Sequence, residues 1–540
     1  MSDIVTLNGY KIKDEKAVRT YETVALMKAD TKLKEGYHVK TKGYYEANDG
    51  GNAEYIIVDD DTLVNDGGLI HVLSNGLRAK LINNIITPEM CGAVGDGETD
   101  DTTAIQTAID VAHEKGLTLN LSNKTYITSD SLNIYSNLEI DGNNATIKNE
   151  TNHAIITSLS IISGINIHDL TLVGANNEEY TDNKGIDLIC YYSKFNNLLI
   201  SLCHSGIFLH HDGASGTLVE NRLSNIRVNN YYQYGIYLGA NGNNKLTDGY
   251  LSNVICNGNS NSLTNQYGIF LGSSAGWCID GVHIYGQNYN AMACSNAYFT
   301  NISNIYIESF TNYGLAMGST QTGANITNIN IKHNNVENTG TAIRIETASY
   351  MPFTTHAGNL TNVRIVRGSS TNGKSIVNTG QQSFNGCNVI IDGATRNIIN
   401  DCSGINFTMN GLINMDDYSI NKYNSTTKLS TIKGYKFKGF NPNTTSITIE
   451  NPGFTVDNQE GIYEVTAVGG QYTTQSGLFY KGLIQIVYKS GSYNVRIKTI
   501  ENDLFTTNPS VALDSDNNIT LSFAVGSTIY GNIFYELMHN

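Results

Sequence analysis

The chain has 540 residues, 40% hydrophobic and 15% charged, which is enough for several cores and too polar throughout for a membrane protein. Its 34 basic residues against 49 acidic ones give a net charge of −15, which repels phosphate backbones and anionic bilayers, so nucleic acid is excluded as an expected partner. The 8 cysteines (Cys91, Cys190, Cys203, Cys256, Cys278, Cys294, Cys387 and Cys402) form no CxxC pair, and buried free thiols from folding in a reducing cytosol are expected.

Met1 to Glu15 lacks the basic and apolar regions of a secretion signal, and no stretch reaches the roughly 18 apolar residues of a membrane span. Residues 1–85 are expected to form a small N-terminal module. Gly92-Ala-Val-Gly95-Asp-Gly97 looks like a phosphate loop but lacks the Lys-Ser/Thr ending and runs into acids, so it reads as a structural turn. A helix is predicted near 101–115: Ala104, Ile105, Ala108, Ile109 and Ala112 fall on one stripe, acids precede it, and Gly116 stops it.

The run Cys91-Gly-Ala-Val-Gly-Asp-Gly-Glu-Thr-Asp-Asp-Thr-Thr-Ala-Ile-Gln106 resembles the opening motif of the pectate-lyase-like superfamily, which includes polygalacturonases, phage tailspikes and pre-neck appendages. Tyr21 to Asp59 is similar to the module that precedes the β-helix in many phage tailspikes. The resemblance implies a right-handed parallel β-helix capped by the helix, in a virion protein assembled in the host cytoplasm.

Repeats support that fold independently. A turn Asn or Asp followed by apolar-x-apolar begins at Asp169, Asn197, Asn225 and Asn253, each 28 residues after the last, and Gly281 continues the interval. Asn304, Asn328 and Asn362 follow at 23, 24 and 34. A second element begins at Gly185, Gly206, Gly235, Gly268, Gly314 and Ala342. Alternation buries the aliphatic residues and turns the middle ones outward, as stacked coils of a solenoid require. The expected fold is therefore all-β. A parallel β-helix spans 86–412, a neck 413–435, and a C-terminal antiparallel β-sandwich 436–540, which by resemblance serves trimerisation or receptor binding.

Glycosidic cleavage by paired carboxyl groups directs attention to Glu220 and Asp248, which are 28 residues apart and so equivalent on adjacent coils. The alternative is a pair of solvated turn acids. Asp280 and Glu308 are further catalytic candidates. Trp277, Arg227, His283 and Tyr306 are candidates for substrate binding. So are the outward residues Phe208, Tyr237 and Phe270, which with Asp187 form an aromatic ladder equally suited to a trimer interface. The outward set His283, Tyr285, Tyr306, Glu308, Asn330 and Lys332 reads first as a mixed polar surface. His210-His211-Asp212 reads as a turn and not a metal cluster, and no metal site is assigned.

The Asn-Thr-Asp and Gly-His-Gly elements of polygalacturonases are missing from the coils, which disfavours a pectin hydrolase. A lyase would need a base beside a cation, and Arg222, Arg227, Lys332 and Arg344 are available. No cofactor is expected. A divalent cation such as calcium would suit a lyase, although no calcium-binding signature stands out. The expectation is a homotrimeric phage tailspike that binds and hydrolyses a bacterial surface polysaccharide (capsule, cell-wall glycan or teichoic acid). It would join tail or baseplate proteins through its N-terminal module and would not insert into membranes. The alternatives are a non-enzymatic receptor-binding fibre and a polysaccharide lyase.

Overall fold

The computed structural model describes residues 18–211 without a break, then 216–240, 245–259, 265–286 and 288–317; beyond these it describes the strands named below and residues 340, 504, 508, 509 and 523, and before them a hairpin of Ile4–Leu7 and Tyr10–Lys13. The chain divides into two compact units, Met1–Thr311 and Asn312–Asn540. Among the described residues no helix is long and apolar enough to cross a membrane.

In the first unit a five-stranded sheet runs in the order Arg19–Tyr21, His38–Thr41, Glu54–Val58, Arg78–Leu81, Ile70–Val72, with a short helix Val24–Ala29 beside it. The glycine-rich loop follows. Asp101 explains its sequence: the carboxylate is buried and accepts the backbone N–H groups of Val94 (2.7 Å) and Gly95 (3.0 Å). Gly95 has φ +65°, which favours glycine, and a Cβ there would meet the Lys124 and Tyr126 side chains. The loop is thus a structural turn, as the acids after it imply. The helix Thr102–Lys115 ends at Gly116 in the left-handed conformation. It buries Ile105, Ala108, Ile109, Val111 and Ala112, so Val111 takes the place expected of Ala104, which is half-buried.

Two parallel ladders then build the β-helix. The first stacks Asn166–Val173, Lys194–Ser201, Arg222–Tyr231, Tyr250–Gly258, Cys278–Gly286 and Asn301–Glu308. The second stacks Lys184–Leu188, Ser205–His211, Tyr234–Ala240, Tyr267–Ala275 and Asn288–Tyr298. The register reproduces the 28-residue repeat: Leu170 faces Leu198, then Ile226, Val254 and Val282, all buried.

The repeating Asn is not a loop residue. It is a left-handed corner inside a continuous strand, with φ from +52° to +55° at Asp169, Asn197, Asn225, Asn253 and Asn304. Asn tolerates this conformation, and its side chain bonds along the stack: Asn253 Nδ2 donates to Asn225 Oδ1 at 2.6 Å. Cys190, Cys203, Cys256 and Cys294 are buried free thiols; burial pushes Cys190 up to about 12.

In the second unit the parallel strands Ala324–His333, His356–Arg367 and Ser383–Asp392 stack with the same left-handed corners at Asn328 and Asn362. The strand Phe310–Met317, paired from Tyr313 onward, forms a second ladder with Thr341–Ile345, Lys374–Asn378 and Ile399–Asn400. The C-terminal strands are antiparallel, in two sheets. One has the order Thr431–Ile432, Tyr435–Phe440, Ile529–His539, Gly461–Gln471, Thr474–Lys489, Ser492–Asn502; the other Ser446–Ile449, Ile519–Ser522, Ser510–Leu513. Residues 401–430, including Cys402 and most of the expected neck, lie outside the described residues, as do Asp212 and Tyr472.

Candidate functional site

Outward positions on the first ladder bring four of the expected site residues together. Leu199, Arg227, Ile255, His283 and Tyr306 form one column across successive coils, and Ser201, Asn229, Asn257 and Tyr285 form the next. Because the corner residues fix each strand, these side chains project from one rigid wall. His283 stacks on Tyr306 with centroids 4.8 Å apart and 22° between planes, and its Nε2 lies 3.5 Å from Glu308 Oε1. The Tyr306 hydroxyl is pushed up by burial and by its hydrogen bond to the Glu308 carboxylate. Arg227 donates from Nη2 to the Tyr285 hydroxyl at 3.1 Å and from Nε to Asn229 Oδ1 at 3.2 Å. The wall therefore combines a carboxylate, an imidazole, two phenols and a guanidinium, a set able to move protons and hold a polar ligand. Asn330 and Lys332, the rest of that expected surface, are exposed on the second unit.

Glu220 and Asp248 stand elsewhere, on the turn before the first ladder. Both are exposed, with φ of +57° and +56°. Their equivalence holds, since their N–H groups bond to Thr247 O and Ala275 O in successive coils. Their side chains do not share a hydrogen bond. Asp248 accepts from Thr247 Oγ1 at 2.8 Å and leans toward the following coil, where a Cβ on Gly276 would lie 2.3 Å from its Oδ1. Asp280 serves the corner of the next coil, accepting Ser303 Oγ at 2.6 Å and Asn304 Nδ2 at 2.7 Å.

Trp277 corrects the sequence reading. It is 0% exposed, its Nε1 donates to Leu246 O at 3.0 Å, and a Cβ on Gly249 would lie 2.4 Å from its ring. It is a core residue packed on Gly249 and cannot contact a glycan. Gly249 is required by this packing and not by the turn at Asp248.

On the second ladder Phe208, Tyr237 and Phe270 form the expected column. Phe208 and Tyr237 stack at 4.2 Å, and Tyr237 and Phe270 at 5.3 Å. Both faces of Tyr237 are thus covered by neighbouring rings, so this residue offers a sugar its edge and not its face. At the head of the column Asp187 lies 2.6 Å from Lys184 Nζ and 3.1 Å from His210 Nε2. Burial alone would raise the Asp187 carboxyl; the hydrogen bond from His210 and the charge and hydrogen bond of Lys184 outweigh it and hold the group below its usual range. His211 is buried, so the adjacent histidines do point to opposite sides.

One cluster escaped the sequence reading. His168 Nδ1 lies 2.8 Å from Asp169 Oδ2 and 3.8 Å from Asp141 Oδ1, and its Nε2 lies 3.5 Å from Glu139 Oε1. The ligand atoms of Asp141, His168 and Asp169 lie within 4.8 Å of one another, spacing that would admit a cation. The geometry closes equally as an imidazolium held by carboxylates. The signal was available as Asp141 one coil before Asp169 at the same 28-residue interval, with His168 paired directly to Asp141.

A family model described as rhamnogalacturonase A/epimerase, pectate lyase-like, matches residues 89–168. No curated protein matches the sequence. Among solved structures, the chain is similar to the enzymatically active domain of tailspike protein 2 of bacteriophage CBA120, with 14% identity, 95% of this chain and 88% of that one covered, and a TM-score of 0.46. It is also similar to the tailspike protein of Acinetobacter baumannii phage AM24, with 12% identity, coverage of 95% and 92%, and a TM-score of 0.45. A third is a tailspike from Acinetobacter baumannii bacteriophage Fri1, a capsular polysaccharide depolymerase, with 12% identity, coverage of 96% and 98%, and a TM-score of 0.35. Over residues 89–168 the chain thus carries the pectate-lyase-like pattern, and that stretch opens a parallel β-helix.

Proposed function

We propose that this chain is a tailspike-type depolymerase of a bacterial surface polysaccharide, cutting on the wall formed by Arg227, His283, Tyr285, Tyr306 and Glu308. The observation that carries the reading is the acid–base set of Glu308 with His283 at 3.5 Å and the Tyr306 hydroxyl, on half-buried outward positions where the His283 Nε2 is itself buried and makes no hydrogen bond. A protonated Glu308 delivers its proton to the glycosidic oxygen as that C–O bond breaks and water adds to the sugar carbon, and the proton that the water releases returns to Glu308 by way of His283. Glu220 and Asp248 form a second candidate acid pair, with exposed Tyr192 on the equivalent turn one coil earlier.

Hydrolysis calls for two carboxyl groups flanking the scissile bond, and among the described residues this wall presents a single one, Glu308. Arg227 beside Tyr285 therefore favours a second reading, β-elimination, in which His283 removes the proton beside a sugar carboxylate and Glu308 protonates the departing glycosidic oxygen. Incubating the full chain with purified envelope glycans distinguishes the two. New reducing ends without absorbance from unsaturated uronate mean hydrolysis, both signals mean elimination, and neither, with binding retained, means a non-enzymatic receptor-binding fibre.

In this reading the protein is a virion component that forms a homotrimer and joins the tail through residues 1–85. Large apolar side chains on the first unit suit assembly, with Leu159 87% and Phe299 64% exposed. Light scattering reporting a stable monomer would overturn the trimer.

A further inference from the structure

Arg227 is the guanidinium of the proposed cleavage wall, and its surroundings carry an inference about substrate class. In a chain with net charge −15, an exposed arginine ordinarily finds a carboxylate. Arg227 does not: its partners among the described residues are the neutral Asn229 and Tyr285. Those two bonds aim the fork across the surface from one coil to the second one along, over Ile255 and Asn257. Two of its five N–H groups are used, so three remain for a ligand. The acid of the wall, Glu308, lies on the strand three coils along and is held by His283 and Tyr306. Lys194 and Arg222, in one column across the Asn225 corner, also lack an acidic partner among the described residues, and Arg222 lies over the Tyr250 ring at 5.3 Å. A fixed guanidinium with free parallel donors matches the two oxygens of a carboxylate or phosphodiester.

We infer that Arg227 makes this wall selective for anionic glycans by binding a uronate carboxylate or a backbone phosphodiester next to the cleavage position. The inference rests on the proposed placing of the site and deepens it.

The test uses the full chain, Arg227→Gln and Arg227→Lys, with a panel of purified capsular polysaccharides: neutral ones, uronate-bearing ones with their carboxyl-reduced forms, and a glycerol-phosphate polymer. The expected result is that the wild type binds an anionic member at least tenfold more tightly than its neutralised form or the neutral glycans. Arg227→Gln loses that preference, and Arg227→Lys, a charge without the fork, keeps part of it. Carboxyl reduction or the phosphate polymer identifies which anion is read. A wild type that binds no anionic member, or shows no preference, overturns the inference, as does an Arg227→Gln protein that keeps the preference with an unchanged thermal transition. Cleavage of neutral glycans as readily as anionic ones sinks the inference and leaves the depolymerase reading standing. Arg227-dependent binding without cleavage does the reverse.

Discussion

His283 faces Glu308 across 3.5 Å while its ring lies stacked on Tyr306 from the next coil. The stack fixes the imidazole plane, so the Nε2 edge is presented to the carboxylate without a loop to hold it. If this contact moves the proton, Glu308→Gln and His283→Asn each lower turnover by ~100-fold or more, while glycan affinity changes little. Full turnover in both variants, with Glu220→Gln or Asp248→Asn inactive instead, would transfer the chemistry to the turn.

Trp277 supplies a second check, because it is the sole tryptophan and is fully buried. Saturating glycan should leave the intrinsic emission spectrum unshifted, whereas unfolding of the first unit moves it to the red. Gly249→Ala, which puts a Cβ against that ring, should destabilise by about 1–3 kcal/mol through overpacking. A glycan-induced spectral shift in an otherwise unchanged protein would show that the indole is reachable.

The coils were legible in the sequence because one interval, 28 residues, recurs wherever Asp169, Asn197, Asn225 and Asn253 turn a corner, and register follows from it. Side-chain direction was not. Asp248 and Glu220 share a turn position, yet Asp248 bends toward Gly276, a choice made by the space that glycine leaves. Trp277 reads in the sequence as a candidate for substrate binding because nothing in the spacing shows that Gly249, one coil earlier, leaves room for its ring in the core. The wall around His283 was visible as alternating outward residues; its contacts depend on rotamers that spacing does not encode.

The corner asparagines make a separable stability prediction. Asn253 has φ +52° and donates to Asn225. Asn253→Ala loses the bond and strains the backbone, costing about 2 kcal/mol, whereas Asn253→Gly keeps the conformation and should cost about half that. Thermal melting of the two variants decides it; a glycine variant at least as damaged as the alanine one would mean that the bond, and not the conformation, dominates.

His168 makes the stability of the first coils depend on pH. Partial burial alone would lower its pKa, but the hydrogen bond to Asp169 and the charges of Asp141 and Asp169 outweigh it, and the folded value is raised above 6.5. A raised value means that the folded state holds the proton more tightly than the unfolded one. The contribution is therefore fully present below about 6.5 and is lost as pH rises through the folded value. Asp169 is itself held below its ordinary 3.8 by Asn197 and His168, so the pair stays intact in mild acid. His168→Gln should accordingly lower the melting temperature most at mildly acidic pH and converge with the wild type in mild alkali. A melting difference that is the same from about pH 5 to pH 9 would mean that His168 acts by packing alone, and that its three carboxylates do not hold a proton on it.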